Sequence, residues 1–151
     1  MNGIYYRDNY NWIDNNIAVG NNRSDYRDFD IIVNLDCPNN GVEHGSIDLE
    51  CQNDKHIYRI GCYDSENENM EELIREVLPE LLKIYTINPK IKILFHCRAG
   101  VSRSATLAIS FLCASKNYML SDAYNLVKSK RPIINPNNGF FRCLVKLFNY
   151  S

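Results

Sequence analysis

Little in this sequence stands out by excess, and several features are missing. Among its 151 residues, 17 are Lys or Arg and 18 are Asp or Glu, a net charge of −1. No basic field therefore argues for nucleic acid or a membrane surface as partner. No apolar run approaches the ~20 residues of a membrane-spanning helix. The first ten residues are polar and aromatic, unlike a secretory leader, and neither end carries a lipidation motif. The expectation is a protein of the cytoplasm, with the nucleus also open to it. There is no repeat, low-complexity tract or linker, so a single domain over 1–151 is expected, with 1–12 as an N-terminal extension. His44, His56 and His96 show no ligand spacing with any cysteine pair, so neither metal nor cofactor is expected. The six cysteines (37, 51, 62, 97, 113, 143) include no CxxC pair and read as free thiols of a reducing compartment.

What is present is an alternation of short apolar runs and amphipathic stretches. Residues 29–35 are continuous and β-branched, a central strand, and 56–60 and 91–95 read as further strands. A minor strand is expected around 46–49 and a short helical turn over 24–28. Tyr5, Tyr6, Tyr10 or Trp12 would tie down the start of the chain. Residues 61–69 form an exposed acidic loop, closed by a capping box of Asn69 with Glu72. The helix that follows carries Leu73, Val77, Leu81 and Tyr85 on one stripe with Ile74, Leu78 and Leu82 beside it, a face wide enough to lie on a sheet. Pro79 should kink or split it near 77–78. A helix from about 103 to 116 is apolar nearly all round and should be central. Ser121 would cap another over 122–130, and a last one spans about 139–148. This pattern is α/β, with a mostly parallel central sheet flanked by helices.

The chain is organised around His96-Cys97-Arg98-Ala99-Gly100-Val101-Ser102-Arg103-Ser104. It lies between a buried strand and a buried helix, the setting in which backbone N–H groups converge on one anion. Cys97 would sit over the helix N-terminus, where the dipole favours a thiolate. Arg103 would grip two oxygens of a tetrahedral anion with its planar fork. Gly100 lets the loop fold tightly with its amides inward. A thiolate in a phosphate cradle points to attack on the phosphorus of a phosphate ester. His96 is poorly placed as a base for Cys97, because neighbouring residues leaving a strand point to opposite faces.

His-Cys-x5-Arg-Ser, and the fuller text HCRAGVSRSATLAISFL, resembles the signature of the cysteine-dependent protein tyrosine phosphatases, dual-specificity branch. The resemblance implies a phosphocysteine intermediate on Cys97 and no metal. It implies phosphate binding by Arg103 and the backbone N–H groups of Arg98, Ala99, Gly100, Val101 and Ser102, a loop-orienting role for His96, and a Ser104 hydroxyl that bonds the thiolate. It places the general acid and base at Asp64, 33 residues before Cys97, with Glu66 and Glu68 as rivals. The Arg98 side chain reads as surface. Residues 131–140 resemble the family's RP…PNxGF text, in which Asn137 supports the phosphate loop and Phe140 packs in the core; Cys143 stands where the family often has Gln. The text from Trp12 to Gly20 resembles the family's first edge strand.

The implied function is hydrolysis of phosphotyrosine and phosphoserine or phosphothreonine on protein substrates, by a monomer without nucleic-acid or membrane partners. Two alternatives stand beside it: the same chemistry on an RNA 5′-phosphate or a phosphoinositide, and a catalytically silent phosphate-binding module. Cys62 is a further candidate, as a thiol that resolves oxidised Cys97.

Overall fold

The computed structural model describes residues 8–149; Tyr5 and Tyr6 lie outside them. In chain order the elements are β1 (Tyr10–Trp12), β2 (Ile17–Gly20), β3 (Ile31–Asn34), β4 (Ile47–Gln52), β5 (Lys55–Ile60), α1 (Met70–Ile87), β6 (Ile93–His96), α2 (Arg103–Lys116), α3 (Leu120–Lys130) and α4 (Asn138–Phe148). The six strands form one sheet in the order β1-β2-β6-β3-β5-β4. Its four central strands are parallel, and an antiparallel strand closes each edge. The sheet is thus mixed, parallel where it carries the site. β2 is not the edge strand; β1 covers it.

Strand alternation divides the core in two. Ile17, Val19, Ile31, Val33, Ile93 and Phe95 point into the larger cluster, to which all four helices contribute their buried side chains. Ala18, Ile32, Ile57 and Leu94 point the other way, under Phe29, Tyr10, Trp12 and Tyr26. The helices therefore cover one face, and edge and loop aromatics cover the other. Trp12 stacks on Phe29 at 4.8 Å there, and Tyr10 meets the same ring edge-on.

α2 is the centre of the helical layer. From Arg103 to Cys113 every residue is buried, and it packs against α1, α3, α4, β2 and β6. Two of its buried hydroxyls bond backbone carbonyls one turn back: Thr106 donates to the Ser102 carbonyl and Ser110 to the Thr106 carbonyl, each at 2.8 Å. α1 opens on Asn69, whose Oδ1 accepts the Glu72 N–H at 3.2 Å, and Leu73, Ile74, Val77, Leu78 and Leu81 form its buried stripe.

Three local expectations are corrected. α1 is one continuous helix from Met70 to Ile87 and is not split at Pro79. Pro79 sits on the exposed face, and so does Arg75, whose carbonyl loses its N–H partner to the proline; water can bond it instead. α3 begins at Leu120 after Met119, so Ser121 lies inside the helix rather than capping it. Leu120 packs against the core, and that burial outweighs a cap worth about 1 kcal/mol. Residues 24–28 form no helical turn: 24–26 are irregular and 27–28 a turn. Ser24 Oγ bonds the Asn9 and Asn21 carbonyls, and Asp25 accepts the Arg27 N–H, so side chains take the bonds a helix would need.

Candidate active site

β6 ends at His96, and the next six residues wrap the N-terminus of α2. Four of their carbonyls, those of residues 98–101, are bonded to groups outside the loop. Arg98 O accepts the Asn22 N–H, Ala99 O and Gly100 O accept the Arg131 guanidinium, and Val101 O accepts the Asn135 N–H at 2.7 Å. Among the described residues, none of the backbone N–H groups from Arg98 to Arg103 is spent on a protein acceptor. A run of unspent donors therefore lies at the N-terminus of α2, where the helix dipole adds to them. Gly100 makes the loop possible. Its φ is +70°, and a Cβ there would lie 2.6 Å from Arg131 Nη2 and 2.7 Å from the Gly20 backbone.

Cys97 is 2% exposed, and its Sγ lies 3.3 Å from Ser104 Oγ. Arg103 is held from behind. Its Nη1 is shared among the carbonyls of Leu35 (2.8 Å), Cys37 (3.1 Å) and Cys62 (2.9 Å). Its Nη2 lies 4.0 Å from the buried Asp36 carboxylate, and its buried Nε has no partner. Three loop carbonyls thus fix the guanidinium by one nitrogen and leave the Nε–Nη2 edge, the one that binds an oxyanion with two parallel bonds.

Asp64 reaches the phosphate loop through Asn137. The Asn137 side chain donates to Asp64 Oδ1 at 2.8 Å, its backbone N–H donates to Ser102 Oγ at 2.9 Å, and its Oδ1 caps α4 by accepting the Phe140 N–H. One asparagine therefore joins the acidic loop, the cradle and the last helix. Phe140 is fully buried. Of the rival carboxylates, Glu66 is exposed. Glu68 is engaged elsewhere, with its oxygens on the N–H groups of Tyr63 and Asn69 and on His44.

His96 lies on the sheet face opposite the main core. Its Nε2 pairs with the Tyr26 hydroxyl at 2.6 Å, and Nδ1 makes no hydrogen bond. Burial pushes its pKa down to about 4, against the opposing pull of the Cys97 backbone and Asp36. Neither ring nitrogen hydrogen-bonds Cys97 Sγ. The Arg98 side chain is exposed. The Cys62 thiol is fully buried, and burial raises its pKa strongly.

Two site residues were not singled out from sequence. Arg131 is 1% exposed and spans the underside of the cradle. Nε donates to Gly100 O (2.8 Å), Nη2 to Ala99 O (3.2 Å), and Nη1 to Asp8 O (3.0 Å) and Asn11 Oδ1 (2.7 Å). In sequence it reads as a helix stop before Pro132. Asp36 is 4% exposed beside Arg103. Its one sequence signal is a carboxylate at the C-terminal end of a central strand, the end that carries ligands in such sheets.

Residues 12–150 match the family described as dual specificity phosphatase, catalytic domain. Among named proteins, the chain is 37% identical over 133 residues to "Putative tyrosine phosphatase 123R" of Invertebrate iridescent virus 6, covering 87% of this chain and 82% of the relative. It is 52% identical over 64 residues to dual specificity protein phosphatase 14 of Homo sapiens, a match covering 42% of this chain and 32% of that protein. Among solved structures, human DUSP28 superposes with a TM-score of 0.76 at 18% identity, over 93% of each chain, which is a likeness of fold.

Proposed function

This chain belongs to the dual specificity phosphatase family of protein phosphatases, and on that premise we propose that it hydrolyses phosphotyrosine and phosphoserine or phosphothreonine through a phosphocysteine on Cys97. The observation that carries the reading is the conjunction of Cys97 with a run of unspent N–H groups and an Arg103 whose Nε has no partner and whose Nη2 has only the Asp36 carboxylate, at 4.0 Å.

In the first step the Cys97 thiolate attacks phosphorus. An S–P bond forms, the P–O ester bond breaks, and the Asp64 carboxylic acid gives its proton to the departing oxygen. In the second step water attacks phosphorus, Asp64 takes its proton, the S–P bond breaks, and inorganic phosphate leaves. Ser104 Oγ, 3.3 Å away, donates to the sulfur as it becomes a thiolate again. The Arg103 edge and the loop N–H groups bind the three equatorial oxygens, where charge spreads in the transition state. Asn137 holds the Asp64 loop to the cradle so that one carboxyl serves both steps.

The substrate is a phosphorylated protein acted on by a monomer. A net charge of −1 weighs against an RNA 5′-phosphate. The silent binding module is disfavoured because Cys97, Arg103, Ser104 and an acid are all present. The test is acid quenching during turnover of a phosphotyrosyl and a phosphothreonyl peptide. The reading predicts phosphate on the Cys97 peptide by mass spectrometry with both substrates, and none in Cys97→Ser. Turnover without labelling of Cys97 would contradict it.

A further inference from the structure

Glu68 is the most heavily engaged carboxylate in the acidic loop, and the mechanism above does not use it. Its side chain is only 7% exposed. Oε1 accepts the Tyr63 N–H at 2.6 Å, Oε2 accepts the Asn69 N–H at 3.2 Å, and both oxygens lie 2.9 Å from His44 Nε2. The His44 ring stacks on Tyr63 at 4.4 Å with an interplanar angle of 8°. The segment that carries His44 is itself bonded to the start of the loop: Gly45 N–H donates to Gly61 O at 2.7 Å and Gly61 N–H to Ser46 O at 2.8 Å. Residue 61 is glycine because a Cβ there would run into the Glu43 carbonyl. The loop is thus gripped at Gly61, Tyr63 and Asn69. Asp64 follows Tyr63 directly and is held on its other side by Asn137.

We propose that Glu68 and His44 form a clamp that positions the Asp64 carboxyl, fixing the backbone at Tyr63 through the buried Glu68 carboxylate. They are positioning residues and exchange no proton with the substrate. A carboxylate that accepts two backbone N–H groups and pairs with a histidine ties the loop at three points through charge-assisted bonds, which are stronger than neutral ones. The inference rests on Asp64 being the acid.

The test exploits the leaving group. Phenyl phosphate releases a phenol with a pKa of about 10, which needs protonation, whereas nitrophenyl phosphate releases a far weaker base that does not. Asp64→Asn, Glu68→Ala, Glu68→Gln and His44→Ala are assayed on both, alongside inorganic phosphate binding and thermal melting. The clamp predicts that Glu68→Ala loses roughly ten- to a hundredfold in kcat/KM on phenyl phosphate, the scale of a misplaced acid. Its kcat/KM on nitrophenyl phosphate, set by the steps up to leaving-group release and not by the hydrolysis step common to both substrates, stays within about threefold, and its phosphate affinity is unchanged. His44→Ala, at a half-exposed side chain, follows the same pattern in a folded protein. Glu68→Gln, which keeps an acceptor for Tyr63 N–H, recovers part of the loss. Equal losses on both substrates, or wild-type rates on phenyl phosphate in Glu68→Ala and His44→Ala, overturn the clamp. Should Asp64→Asn itself show no dependence on the leaving group, the acid assignment fails and the clamp with it.

Discussion

At the scale of single residues the site depends on groups that cannot be exchanged for near neighbours. Gly100 combines a φ of +70° with backbone and guanidinium atoms where a Cβ would lie. Gly100→Ala should cost roughly 1–3 kcal/mol and weaken phosphate binding, read by urea denaturation and by inhibition with inorganic phosphate. His96 gives a pH signature. Its pKa is about 4 in the fold against about 6.5 in an unfolded chain. Between those values the unfolded chain holds more protons, so stability rises with pH through this window and is lost as the pH falls through it. Its contribution is at most about 3 kcal/mol. Urea melts of wild type and His96→Asn from neutral to acid pH should show a shallower fall in the variant; parallel curves would contradict the assignment. Cys97, Arg103 and Ser104 were legible in sequence because they share one loop. Asp36 and Arg131 were not, because each gains its role from a partner about 30 to 70 residues away that only folding brings near.

At the scale of elements, the bounds of α2 follow from sequence because it is apolar all round and has one place to go, the middle of the helical layer. The start of α3 was not legible, since the packing of Leu120 overrides the local capping signal of Ser121. Pro79 misleads for a similar reason: its effect depends on which face of α1 it occupies. Pro79→Ala should therefore stabilise the protein by roughly 1–3 kcal/mol, raising the melting temperature with turnover unchanged. The phosphate loop is an element braced from below by Arg131. Lysine cannot span the four acceptors that its fork reaches, at Gly100, Ala99, Asp8 and Asn11. Arg131→Lys should lose about tenfold in affinity for inorganic phosphate, about 1.4 kcal/mol, although its guanidinium meets the loop only at the Gly100 and Ala99 carbonyls.

At the scale of the whole molecule, a parallel sheet edged by antiparallel strands brings the ends of β3, β5 and β6 to one rim. Arg103 takes its three carbonyls from the segments after β3 and β5, and Asn137 brings α4 to the same place. The strand and helix alternation made this architecture readable. That one face carries all four helices and the other a layer of aromatics was not readable, because a strand buried on both sides looks the same under either cover. The measurement closest to the central claim is hydrolysis of nitrophenyl phosphate at mildly acidic pH with EDTA present, comparing wild type with Cys97→Ser. Turnover that survives EDTA and disappears in a folded Cys97→Ser, which still binds inorganic phosphate, is the predicted result. Turnover that persists in Cys97→Ser, or a folded wild type that binds phosphate without hydrolysing the ester, would contradict a phosphocysteine mechanism on Cys97.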